Sequence, residues 1–223
     1  MRNTLIKAVL ALSIPSISVA ELQDASFNYS YIQGTYSLVA IETGYSTDLE
    51  GSEFGVTLSK ELDDKIFVEL SYIYSNLDDT IRFNDIDATA SIEGSGYEAA
   101  VAFGKAWGLS ERSDIYTLAG FGVSGGNVEV TAESNGVEAY SAEEEDTDTD
   151  MFIAAGLKIF LDTDRHVEIN PEFSIGNSGG ETSKKAQIIA SFHINQQVDI
   201  GVGASIYLDD DISMMGVGLN YYY

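Results

Sequence analysis

From about residue 27 to the last residue, apolar and polar positions alternate, with β-branched and aromatic side chains exchanging with Gly, Ser, Thr and charges. A period of two belongs to a strand, whose successive side chains point to opposite faces. Ten strands are predicted, near 27–41, 51–62, 66–76, 91–105, 114–130, 151–162, 166–176, 184–195, 198–208 and 212–223. In the third, Ile66, Val68, Leu70, Tyr72 and Tyr74 share one face and Phe67, Glu69, Ser71, Ile73 and Ser75 the other. The seventh sets Val167, Ile169, Phe173 and Ile175 against His166, Glu168, Asn170 and Glu172, and the ninth sets Val198, Ile200, Val202 and Ile206 against Asp199, Gly201, Gly203 and Ser205. The eighth repeats the pattern with Ile188 and Phe192 against Gln187, Ser191 and His193. Strand one has no clean phase, since Tyr29 and Tyr31 lie on one parity and Ile32, Tyr36, Leu38 and Ala40 on the other. Pro171 in mid-strand predicts a bulge, because it removes a ladder hydrogen bond and a closed sheet has no edge to hide it.

Soluble sandwiches and membrane barrels both alternate in this way. Their connections differ. Here long and short connections alternate along most of the chain, the longest being 77–90 and 131–150. A barrel that starts on the periplasmic side makes external loops and tight inner turns in that order. The short connection Asp209-Asp210-Asp211 breaks the trend. The apolar phases are nearly free of charge, with Lys60 and Lys105 only at inner strand ends, where long side chains snorkel to water. Tyr72, Tyr74 and Tyr97 fall near the outer interface and Tyr221 and Tyr223 near the inner one, as in an aromatic girdle. The fold predicted is all-β: a closed antiparallel up-and-down transmembrane β-barrel of ten strands, with eight the alternative count and a soluble acidic sandwich the competing class.

Composition narrows the role. The 223 residues include 36 acidic and 11 basic side chains, a formal charge of −25, yet 44% are hydrophobic. A disordered acidic tail would lack the 13 Tyr and 10 Phe, and the scarcity of Lys and Arg excludes a phosphate-binding surface for nucleic acid. Without cysteine there is no disulfide, thiolate metal site or thiol nucleophile. Residues 1–20 carry Arg2 and Lys7, the apolar run Ala8 to Ile14, a break at Pro15 and the small-residue ending Ser18-Val19-Ala20. They read as a signal peptide cut before Glu21, leaving 21–223 as one barrel domain.

The final stretch, Met215 to Tyr223, places Val217, Leu219, Tyr221 and Tyr223 on one parity and ends on an aromatic. It resembles the C-terminal assembly signal of the small outer-membrane β-barrel superfamily, the OmpA and OmpX types with a porin-like fold. The opening Phe27-Asn28-Tyr29-Ser30-Tyr31-Ile32-Gln33-Gly34 also resembles a first strand of such barrels. Those types have eight strands, and this chain departs from them with ten. The resemblance implies location in the outer membrane of a Gram-negative envelope, contact with its lipid and lipopolysaccharide, and insertion by the barrel-insertion machinery. It implies no particular activity and no cofactor.

Known barrel enzymes of that membrane place Ser, His and acids at the external rim, whereas His166 and His193, the two histidines here, both fall towards the inner end. Rim hydrolase chemistry is therefore disfavoured. The pair could meet across a hairpin beside Glu168 as metal ligands or a proton-linked pair, the plainer reading being hydrogen-bonded lumen histidines. Glu53, Glu69, Glu98, Glu168, Glu172 and Asp199 share the lumen parity with Lys158 and Lys185. Such groups form internal networks or line a narrow cation-preferring path. Lys158 is placed to meet Glu168. The predicted loop 131–150 carries Glu143, Glu144, Glu145, Asp146, Asp148 and Asp150, which could take divalent cations, though it lacks the pattern of an EF-hand. The expected role is structural or surface-interacting, without catalysis. A narrow channel for cations or small solutes is the alternative.

Overall fold

The computed structural model describes residues 19–20, 27–42, 49–83, 88–134, 137–210 and 212–223. The predicted signal peptide, apart from 19–20, and Asp211 of the last connection lie outside the described residues. Ten strands close into a barrel: β1 (Tyr31–Ile41), β2 (Leu49–Asp63), β3 (Ile66–Phe83), β4 (Ala88–Ser110), β5 (Ser113–Ser134), β6 (Val137–Phe160), β7 (Val167–Ser178), β8 (Glu181–His193), β9 (Val198–Tyr207) and β10 (Ile212–Tyr222). Each pairs antiparallel with the next, and β10 closes on β1, from Ile212↔Ile41 to Tyr222↔Tyr31. No strand edge therefore faces the hydrocarbon, as a bilayer requires.

Side-chain alternation follows the predicted parity. Phe54, Leu58, Leu70, Phe103, Phe121, Ile188, Ile200 and Leu219 are exposed on the outer face, while Glu53, Thr57, Ser59, Glu69, Glu168 and Asp199 are buried inside. Strand β1 proves to have a clean phase. Tyr31, Gln33 and Val39 are buried, and Ile32, Tyr36 and Leu38 are exposed. Its predicted start at residue 27 is corrected: Phe27–Asn28 pairs instead with Val19–Ala20.

The larger correction concerns the long connections. Residues 77–83, 88–90, 131–134 and 137–150 are not loops but continuations of β3, β4, β5 and β6. These strands contain 18, 23, 22 and 24 residues, whereas about 10 span a bilayer. The ladder runs on from Asn76↔Ser95 through Asp78↔Glu93 and Thr80↔Ser91, and from Asn127↔Glu145 through Glu129↔Glu143. Beyond the Tyr74↔Tyr97 pair β3 continues to Phe83, which is roughly 30 Å of strand. Outside the hydrocarbon the outer face can be charged, so an apolar outer phase is no longer the mark of a strand.

Turns at the opposite end are short and use left-handed backbone where they must. Asp64 and Lys65 have φ of 50° and 59°, the geometry of a two-residue hairpin. At the far end Gly179 and Gly180, at 55° and 85°, do the same between β7 and β8, where a side chain would be strained. Lys105 bonds the Asp64 carboxylate at 2.9 Å, and that hydrogen bond and charge hold the carboxyl below its usual range.

No bulge marks Pro171, contrary to the sequence expectation. The register with β8 is continuous through Ile188↔Pro171, and that with β6 keeps its phase from Gly156↔Glu172 to Ile159↔Ile169. Only the ladder between these two rows lapses. Leu161 N–H donates to Val167 O, so odd residues of β7 face β6, and the bond missing at Pro171 is the one to Leu157 O. Pro171→Val is expected to restore it and stabilise the barrel by about 1 kcal/mol. A lower thermal midpoint for this variant would show that proline's rigidity outweighs the lost bond.

Candidate functional site

Phe27 and Tyr29 enter the barrel at the end where β1 starts and β10 finishes. Phe27 stacks on Phe160 at 4.7 Å between ring centroids and Tyr29 on Phe67 at 4.6 Å. Ser59 Oγ donates to Tyr29 O at 2.8 Å, which holds the segment to β2. These rings, with Tyr116, Leu118 and neighbouring alanines, form an apolar cluster across the turn end.

Above it lies a charged layer. Lys158 is 2% exposed, and its Nζ sits 4.1 Å from the Tyr29 ring centre and 5.5 Å from that of Tyr116. Such cation–π contacts gain strength where water is excluded. Glu168, Glu69, Asp114 and Asp199 act on its charge. Among the described residues Lys158 Nζ has no direct hydrogen-bond partner, so the expected meeting with Glu168 is electrostatic. Tyr31 donates to Glu69 at 2.6 Å and Tyr222 to Asp199 at 2.7 Å. Tyr116 donates to Glu172 at 2.7 Å, and Gln187 donates to the other oxygen at 2.9 Å. Gly156 admits the Tyr116 ring: a Cβ there would lie 2.4 Å from its hydroxyl.

His193 is buried in this layer, with Nε2 3.7 Å from Glu168 and Nδ1 3.8 Å from Asp199, too long for direct hydrogen bonds. His166 is not beside it in the lumen. Its side chain is exposed in the 161–166 turn and lies 3.3 Å from Asp162, so the expectation of a lumen histidine is corrected for His166, and the alternative of a His166–His193 pair is not formed either. Arg165, just before it in the turn, adopts a left-handed φ of 59°. Burial raises the Asp162 carboxyl, but amide donation by Val167 and His166 outweighs it and leaves the group below its usual range.

Halfway up, Glu53, Lys185, Gln187, Thr35, Ser37 and Ser205 line a cavity of about 60 Å³, room for about four waters. Glu98 is buried nearby, within electrostatic reach of Glu53, Asp150 and Lys185. Over this cavity Val39, Ile41, Leu49, Ile73, Leu77, Ile81, Ile92, Val128, Tyr207, Ile212 and Met214 fill the barrel at its hairpin end. Sequence reasoning missed this apolar cap. Leu77, Ile81, Ile92 and Val128 carry it on the inward parity, a signal hidden by Asp79 on that same parity and by Asp78, Glu93 and Glu129 on the other.

The extension beyond the rim scatters the predicted acidic loop. Consecutive residues point to opposite faces, so Glu143 and Glu145 lie outside while Asp148 and Asp150 lie on the lumen side. The described residues bring together no group of three acids or histidines able to hold a metal ion. What the register does assemble is a row across four strands, Asp78↔Glu93↔Glu129↔Glu143, all exposed on the outer face.

A closed sheet with an apolar outer belt, an aromatic rim at Tyr72, Tyr74 and Tyr97, and a polar interior defines an integral membrane β-barrel protein. The sequence matches the family model described as the outer membrane protein beta-barrel domain over residues 9–221, and the chain belongs to that family. Its place is the outer membrane. None of the curated proteins matches it. Among solved structures it is similar to the outer membrane protease OmpT from Escherichia coli, at 8% identity over 91% of this chain and 100% of that one, with a TM-score of 0.54. It also matches the translocator domain of the autotransporter NalP from Neisseria meningitidis, at 11% identity over 100% and 95% of the chains and a TM-score of 0.49. Neisserial surface protein A matches at 7% identity over 86% and 96%, with a TM-score of 0.42. At 8% identity the likeness to the protease speaks to fold and not to role.

Proposed function

We propose that this is a non-conducting, non-catalytic outer-membrane protein that works through the surface of its extended hairpins. The observation that carries the reading is the continuation of β3 to β6 past the aromatic rim, with Asp78, Glu93, Glu129 and Glu143 in register on its outer face. Like charges directly opposite each other destabilise a sheet, and their joint field draws cations and basic partners towards the extension. Closure of the lumen by Phe27 and Tyr29 at one end and by the apolar cap at the other supports a barrel without a through-path. Absence of catalysis is supported by the place of His166 and His193, both remote from the hairpin end.

Outer-membrane barrels keep tight turns in the periplasm and longer segments outside, which puts the extension at the cell surface among lipopolysaccharide and its divalent cations. Val217, Leu219, Tyr221 and Tyr223, all exposed on the outer face, are the residues offered to the insertion machinery after cleavage at Ala20. A narrow cation path is the second reading, favoured by the cavity at Glu53 and Lys185. Planar-bilayer recording on the purified full chain decides between them. Silent membranes are expected. Ohmic steps that weaken in Glu53→Gln would replace the surface role with the channel.

A further inference from the structure

Two bonds near its turn end set the direction of every β6 amide. Phe160 N–H donates to Arg112 O at 2.9 Å, towards β5, and Leu161 N–H donates to Val167 O at 2.9 Å, towards β7. The β5–β6 register then runs without a shift from Ser113↔Ile159 to Ala132↔Tyr140. Along this stretch even-numbered residues of β6 therefore bond β5, and odd-numbered residues point their N–H and C=O to the other side. On that side β7 supports β6 only as far as Asp150↔Ser178, and Gly179 of the β7–β8 turn lies against the Asp148 carboxylate. Beyond it Ser141, Glu143, Glu145 and Thr147 present backbone groups to which, among the described residues, no strand is paired.

The extension treats these positions as an edge. Thr147 N–H is taken by the preceding side chain, Asp146 Oδ1, at 2.8 Å. On β3, at the far side of the extension, Thr80 N–H is taken in the same way by Asp79 Oδ1 at 2.6 Å. Residues 143–147 are exposed on both parities. An accessible row of alternating donors and acceptors is a template for a further strand. Charge selects what can use it. A second copy of this edge would set Glu143, Glu144, Glu145 and Asp146 against their own kind, and like charges opposite each other are destabilising.

We propose that the β6 edge from Ser141 to Thr147 binds an extended basic segment of a partner protein by strand addition. Such a segment covers about 23 Å of edge. Its Lys or Arg side chains lie beside Glu143 and Glu145 on the outer face and beside Glu144 and Asp146 on the inner one. The proposal rests on the surface-interaction reading and names the partner it takes.

The test uses the purified full chain in detergent and a fluorescein-labelled nonapeptide of lysine and threonine, followed by fluorescence anisotropy. A second peptide of the same sequence, N-methylated at alternate residues, keeps every charge but cannot complete a ladder. Its binding is expected to be weaker by about tenfold or more, since several backbone hydrogen bonds are lost. Glu145→Pro should weaken the unmodified peptide similarly, because the N–H it removes points to the open edge and the β5 ladder keeps its bonds. Glu145→Gln, which removes one charge and no donor, should lose much less. Retained resistance to cold SDS would show that each variant has folded. Equal binding of the two peptides, or wild-type binding by Glu145→Pro, would reduce the interaction to charge attraction and overturn strand addition. Absence of binding overturns it too, and the bilayer recording judges the non-conducting surface role separately.

Discussion

Lys158→Met is expected to lower the temperature at which the barrel loses its resistance to SDS by about 6–20 °C. Breaking a buried ion network by removing one partner costs about 3–5 kcal/mol, and a chain of this size shifts by about 2–4 °C per kcal/mol. The ammonium lies over the Tyr29 and Tyr116 rings with Glu168, Glu69, Asp114 and Asp199 acting on it. Methionine fills the same space but leaves these carboxylates to repel one another. Lys65 offsets part of the loss, since its Nζ bonds Asp114 at 2.7 Å. Adding Glu168→Gln should recover some of the stability, as it removes a buried charge whose two oxygens have no direct hydrogen bond among the described residues. Mobility on gels after graded heating measures both variants. An unchanged midpoint in Lys158→Met would mean that hydration, not the lysine, balances the interior acids.

Val217→Arg is the second large effect. Val217 stands at the middle of β10, paired with Val202 on β9 and Tyr36 on β1, and is 55% exposed on the outer face. An arginine on the lipid face near the bilayer midplane costs about 2–4 kcal/mol. Refolding into phospholipid vesicles should therefore leave a much smaller folded fraction, read as the fast-migrating band of unboiled samples. Glu143→Arg, beyond the hydrocarbon, should fold like the wild type. Equal folded fractions for all three would contradict the assignment of this face to lipid.

Much of the barrel was legible because hydrocarbon imposes one rule on every spanning strand: the outward phase must be apolar. That rule located ten strands, assigned Glu69, Glu168, Glu172 and Asp199 to the lumen, and placed Val217 and Leu219 outside. It failed where the rule stops applying. At 77–83 and 137–150 both faces leave the bilayer, acids are tolerated on the outer positions, and the strands read as loops. The charges that hid those strands are the ones the register then aligns. Phe27 and Tyr29 were misread for a related reason. Their aromatic rings suit a strand, but they pack inside the barrel against Phe67 and Phe160 rather than continuing β1.

Alternation along the chain determined that the fold is all-β and which face most spanning side chains take, since these depend only on period and on the solvent each face meets. The spacing of the connections was needed to read a ten-stranded barrel rather than a sandwich. Pairing across strands decided the rest. The acidic row from Asp78 to Glu143 joins residues from four strands. The open edge at Ser141 to Thr147 exists because β7 ends before β6 does. The surroundings of Lys158 come from residues far apart in sequence, brought together by closure of the sheet. Contacts of that kind follow from register and strand length, which local alternation does not encode.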